Sequence, residues 1–204
     1  MRLPSAMLRR LHRVALLLML AGAPAQARDA EDVGAPSGAG TESVDQALCR
    51  LIERSARRHG LPADFLTRLI WRESSFRASV TSPAGAQGIA QFMPRTAAER
   101  GLADPFDPEQ AIPHAAHLLA DHLRVFGNLG LAAAAYNGGP TRLTHWLGGR
   151  GTLAEETRSY VLLVTRRPVE DWADAARGEA GIAEPRIDWL ARQQSCLQTV
   201  AAVR

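Results

Sequence analysis

The chain has 204 residues, 46% of them apolar and 5% aromatic, with 24 basic against 21 acidic side chains and a formal net charge of +3. That length fits one domain with tails, and the apolar share excludes a fully disordered chain. Two cysteines are too few for a disulfide-dense mini-scaffold or a four-Cys zinc site, and sparse aromatics weaken a stacking platform for single-stranded nucleic acid.

Residues 1–27 read as a secretory signal peptide. Arg2, Arg9, Arg10 and Arg13 occur without any acid, an apolar run follows from Val14 to Ala23, and Ala25-Gln26-Ala27 supplies a cleavage site. The run is well short of the roughly 18–20 apolar residues a membrane span needs, and no Cys follows it to carry a lipid anchor. Cleavage after Ala27 leaves 20 basic and 21 acidic residues, a net charge of −1. The basic balance therefore belongs to the leader, and a nucleic-acid partner loses its main support. The location implied is periplasmic or secreted. In such an oxidising compartment Cys49 and Cys196 read as a disulfide that joins the chain ends across about 147 residues, the alternative being two separate buried thiols.

Residues 28–43 are small, polar and aperiodic, a flexible leader into a domain over 44–200. Ser43 and Gln46 form a capping box ahead of a helix whose apolar residues are Val44, Ala47, Leu48, Leu51 and Ile52, with Gly60 as its C-cap. Leu61-Pro62 opens a second helix with Pro in its first turn and a stripe of Phe65, Leu66, Leu69 and Ile70. Residues 74–95 carry loop chemistry, with Ser82-Pro83-Ala84-Gly85 and Gly88. Helical patterns return at about 95–100, 108–126, 129–136, 140–147 and 155–166. Strand-like alternation is nearly absent, so the fold is mainly α, a single helical domain.

Glu73 lies four residues after Leu69 and three after Ile70, on the continuation of the apolar stripe. Burial there disfavours the carboxylate and raises its pKa, which suits a general acid near neutral pH. The alternative is a helix-end Glu satisfied by Arg72, Arg77 or backbone. From Ser74 through Ala98 the chain has no Asp or Glu for 25 residues. Ser82, Gln87 and Gln91 supply neutral hydrogen-bonding groups in that stretch, and Gly85 and Gly88 let backbone approach a ligand, or simply punctuate turns. One carboxyl facing neutral polar groups fits a sugar cleft better than a metal or phosphate site. His114, His117 and His122 are spaced by three and five, so only the first pair shares a helix face, and neither a His-Glu-x-x-His zinc motif nor a Gly-x-Ser-x-Gly elbow occurs. No metal or cofactor is implied.

Glu73-Ser74-Ser75-Phe76, Gly85-Ala86-Gln87-Gly88-Ile89-Ala90-Gln91-Phe92-Met93-Pro94, Ala135-Tyr136-Asn137-Gly138-Gly139 and Glu156-Thr157-x-x-Tyr160-Val161 occur in that order. Together they resemble the soluble lytic transglycosylase catalytic domain, a lysozyme-like fold of glycoside hydrolase family 23, over about residues 45–165. The resemblance implies a loop-built glycan cleft and non-hydrolytic cleavage of the β-1,4 bond between N-acetylmuramic acid and N-acetylglucosamine in peptidoglycan. It implies Glu73 as the sole catalytic acid/base, leaving 1,6-anhydro ends without water, whereas ordinary glycosidases need a second carboxylate. It places Ser82, Gln87, Gln91, Tyr136, Asn137, Glu156 and Tyr160 along the sugar subsites or around Glu73. The chain departs from the family pattern at Ala90, where Met is common, so a sugar contact from that side chain is not implied here. The glycan strands of peptidoglycan are the expected partner of a monomer. The alternatives are a hydrolytic muramidase on the same fold, or a non-catalytic peptidoglycan-binding scaffold; use within a secretion or conjugation apparatus is compatible with so compact a chain. Residues 167–204, with Pro168, Trp172 and Trp189, fall outside these motifs.

Overall fold

In a computed structural model, residues 42–178 and 195–204 are described, and they belong to one unit. The predicted signal sequence, the predicted leader through residue 41 and Trp189 lie outside them. The chain enters the fold at Ser43, whose hydroxyl accepts from the Gln46 amide while the Gln46 side chain accepts from the Ser43 amide, the reciprocal capping box read from the sequence. Helix α1 runs Val44–His59 and closes on Gly60 in the left-handed conformation. Helix α2 runs Ala63–Ser74, with Pro62 as its N-cap, one residue before the helix proper. After a loop come α3 (Pro94–Glu99), α4 (Pro108–Phe126), α5 (Leu129–Gly138), α6 (Pro140–Leu147) and α7 (Glu155–Thr165). Two further helices, α8 (Val169–Arg177) and α9 (Cys196–Val203), occupy the C-terminal part where the periodicity predicted no element. Among the described residues there is no named strand, only isolated bridges in the loop after α2.

Helix α5 organises the core. Its sequence, Leu129-Gly130-Leu131 followed by four alanines, is apolar all round, which a helix tolerates only when surrounded. It meets α4, α6, α7 and α8, and Leu131 through Ala135 are almost fully buried. Small side chains let these neighbours approach closely. At Gly130 the approach is closest, since a Cβ there would lie 2.1 Å from the Trp172 ring of α8.

Helix α9 lies antiparallel to α1. Cys196 is bonded to Cys49, with the Cα atoms 5.3 Å apart, so the predicted disulfide is present. The Cys196 amide also donates to Glu53 at 3.1 Å. At the other end the Arg204 guanidinium holds both oxygens of Asp45 at 2.7 Å. α9 also packs on α2, the helix that carries Glu73.

Candidate active site

Glu73 stands at the last turn of α2, beyond Leu66, Leu69 and Ile70, which are fully buried. The next residue, Ser74, is buried and its hydroxyl donates to the Ile89 carbonyl at 2.8 Å, pinning the end of α2 to the following loop. Ser75 and Phe76 then turn the chain with φ of 52° and 62°, a left-handed pair that non-glycine residues adopt under strain. The loop folds on itself. The Ser82 amide donates to the Ala86 carbonyl and the Ala86 amide donates back to the Ser82 hydroxyl, closing a turn, and Gln87 pairs with Phe92 through its backbone in both directions.

The two glycines in this loop play different parts. Gly85 has φ of 88° with open space around its Cβ position, the ordinary requirement of a turn. Gly88 has φ of 73°, and a Cβ there would lie 1.7 Å from the Pro105 carbonyl oxygen. The close approach expected of Gly88 is therefore to the protein's own backbone rather than to a ligand.

A cavity of about 370 Å³ opens between this loop, α2, α5 and α7. Of the residues singled out from the sequence, Glu73, Ser82, Gln91, Tyr136, Asn137, Glu156 and Tyr160 line it. Gln87 is not among them; its backbone is spent on the pairing with Phe92, and it serves the loop instead. Arg72, Ala84, Ala86 and Met93 also line the cavity. Met93, 43% exposed, stands just before Pro94 at the end of the quoted loop motif as a large apolar side chain left partly uncovered, the one signal that marks it. Three residues earlier Ala90 is fully buried, so the position where the family pattern has Met faces the core in this chain.

Around Glu73 the polar groups are ordered. The Tyr160 hydroxyl donates to its Oε1 at 2.5 Å. Neither arginine takes that place, for the Arg77 Nε donates to the Ser74 carbonyl at 2.9 Å, and Arg72 makes no hydrogen bond or ion pair among the described residues. Burial raises the Glu73 pKa from 4.5 to about 7; the Tyr160 hydrogen bond and the Arg72 charge pull it down, and the like charge of Glu156 adds to the rise. Burial likewise holds Tyr160 and Tyr136 well above the usual 10.0, so both phenols remain donors. Tyr136 spends its proton on the Ala90 carbonyl at 2.7 Å, tying α5 to the loop.

Gln91 adopts φ of 51°, and its amide nitrogen donates to the Gly88 carbonyl at 2.8 Å. Its side chain thus braces the loop at the cavity edge. Asn137 accepts from the buried Thr157 hydroxyl at 2.8 Å, which fixes its amide and leaves the nitrogen for a ligand. Thr157, three residues before Tyr160 on α7, is a positioning residue that the sequence motif contains but does not single out. Among the described residues no group of three or more His, Cys, Asp or Glu is placed to hold a metal ion, and no helix is long and apolar enough to cross a membrane.

Comparison with known proteins points the same way. The chain is 34% identical over 109 residues to a transglycosylase of Enterobacteria phage PRD1, covering 53% of this chain and 38% of that protein. It is 33% identical over 133 residues to the soluble lytic murein transglycosylase of Escherichia coli K12, covering 54% and 21% of the two. It therefore spans well under half the length of these relatives. Among solved structures, lytic transglycosylase Slt of Pseudomonas aeruginosa, determined as an inactive mutant, superposes with a TM-score of 0.53 at 29% identity, over 72% of this chain and 26% of that one. The described part thus has the mainly helical, lysozyme-like fold of that neighbour. The family model for the transglycosylase SLT domain matches residues 50–159, more than half of the chain, and the chain belongs to that family.

Proposed function

We propose that the protein is a peptidoglycan lytic transglycosylase, cleaving the β-1,4 bond between N-acetylmuramic acid and N-acetylglucosamine and leaving a 1,6-anhydro end. The observation that carries this reading is Glu73, a carboxyl with its pKa near 7, fixed by a phenol donor in a cleft whose other lining residues are uncharged apart from Arg72 and Glu156. In its protonated form Glu73 gives its proton to the glycosidic oxygen as the bond from that oxygen to the muramoyl C1 breaks. The resulting carboxylate accepts a hydrogen bond from Tyr160 and takes the proton of the muramoyl C6 hydroxyl, whose oxygen closes on C1. The proton is back on Glu73 at the end, and no water is consumed. Ser82, Gln91, Tyr136 and Asn137 border the sugar path, and Met93 offers an apolar wall to a sugar face.

Glu156 supports a second reading, since it is a carboxylate in the same cavity and a hydrolytic muramidase would need a base to activate water. Mass spectrometry of muropeptides released from purified sacculi separates the two. Lytic transglycosylation yields anhydromuramic ends, and Glu73→Gln releases none; reducing muramic ends from the wild type would establish hydrolysis, and release by Glu73→Gln at the wild-type rate would remove Glu73 from the chemistry. A periplasmic or extracellular site of action follows from the substrate and from the basic and apolar N-terminus.

A further inference from the structure

Arg72 is the only cation among the residues that line the cavity, where two carboxyls, Glu73 and Glu156, already stand. Its neighbours on the same stretch of chain are used structurally. Arg68, one turn earlier, donates to Asp64 at 2.8 Å and to the Val164 carbonyl at 2.6 Å, and Arg77 is bonded to Ser74. Arg72 is exposed, faces the cleft, and has no hydrogen bond or ion pair among the described residues. A guanidinium can donate to sugar hydroxyls, but its planar fork and full charge are matched best by a carboxylate. Its charge also opposes the rise in the Glu73 pKa, by more than the like charge of Glu156 restores, and so works against the acid.

We infer that Arg72 receives a carboxylate carried by the muramoyl lactyl arm, so that the cleft reads the charge of the substituent on the glycan as well as the sugars. This rests on the transglycosylase reading above and extends it to the substituent. In peptidoglycan that carboxylate has two sources, the acids of the stem peptide or, on stripped strands, the lactyl acid itself. A guanidinium binds either in the same planar, two-pronged manner. A carboxylate seated there also neutralises Arg72, so the substrate removes the charge that drains protons from Glu73.

The test uses defined glycans of one length in three forms: short stems ending in free carboxylates, the same stems as carboxamides, and unsubstituted lactyl carboxylates. Each is digested by the wild type, Arg72→Gln and Arg72→Lys, and kcat and KM are measured separately. The wild type should prefer the carboxylate stem over the carboxamide stem by about five- to ten-fold in kcat/KM, chiefly through KM. Arg72→Gln should bring that ratio close to one, and Arg72→Lys should restore part of it. Preference for the lactyl acid over both stems would assign the contact to the lactyl arm, and preference for the carboxylate stem would assign it to the peptide. An unchanged ratio in Arg72→Gln, or no preference in the wild type, would overturn the inference while leaving the transglycosylase reading intact. A wild type that cuts none of the three would overturn the transglycosylase reading itself.

Discussion

Glu73 keeps its proton in the folded chain up to about pH 7, whereas in the unfolded chain it ionises near 4.5. Below pH 4.5 both states are protonated and the group makes no difference to folding. As pH rises through the window to about 7, the unfolded state gains the favourable ionisation and the folded state does not. Stability present at low pH is therefore lost, by about 1–3 kcal/mol once pH exceeds the folded value. Gln retains an acceptor for the Tyr160 hydroxyl and has no charge to bury. Glu73→Gln should accordingly be more stable than the wild type at pH 8 and close to it at pH 4, as read from urea midpoints at each pH. Wild-type kcat should fall above about pH 7 as the acid form is lost. A variant equally stable or less stable at pH 8 would mean that the carboxyl is solvated in solution, contrary to its place at the end of the buried α2 stripe. The cleft gains an acid near neutral pH at the expense of fold stability, a conflict localised to one side chain.

At the scale of elements, most helices were legible because their ends are marked by local chemistry. The α1 capping box, the Pro108 and Pro140 starts, the Gly127 stop and the first-turn acids of α7 each act within a few residues of their own position. Helix α8 was not legible although Val169, Trp172 and Ala173 have helical spacing, because nine residues give too short a pattern to stand out. Its purpose appears only in three dimensions. The Trp172 indole packs over Gly130, its Nε1 donates to Thr165 at 3.1 Å, and its carbonyl accepts from Asn128, the N-cap of α5, at 3.0 Å. Helix α8 thus clamps the start of the central helix. Alanine is normally better than glycine in a helix by about 1 kcal/mol, but at Gly130 the added methyl would collide with the indole. Gly130→Ala should lower stability by about 1–3 kcal/mol and shift tryptophan fluorescence. A stabilised variant would mean that α8 moves aside freely and clamps nothing.

Contacts that join distant parts of the chain were the hardest to foresee. Glu73 meets Tyr160 across 87 residues and Tyr136 reaches Ala90 across 46, separations that no periodicity encodes; only the resemblance of the four motifs placed them in one site. The pairing of Cys49 with Cys196 followed from their being the only two cysteines, but what the bond holds did not. It holds α9, an eight-residue helix of a length that is not stable alone in water. α9 covers α1 and the back of α2, so the bond supports the helix that presents Glu73. Two noncovalent ties share the task, Cys196 to Glu53 and Arg204 to Asp45, the latter exposed and worth little by itself. Replacing both cysteines by alanine should therefore cost about 2–5 kcal/mol of stability in denaturant titrations. The loss should be uneven: amide exchange should rise first in residues 195–204 and on the face of α2 beneath them, while the α5 interior stays protected. Cleavage of glycan should persist at low temperature and fail on warming before global unfolding, as α2 loses its backing. Uniform exchange across the molecule, or a change below about 0.5 kcal/mol, would show that α9 is held by packing alone.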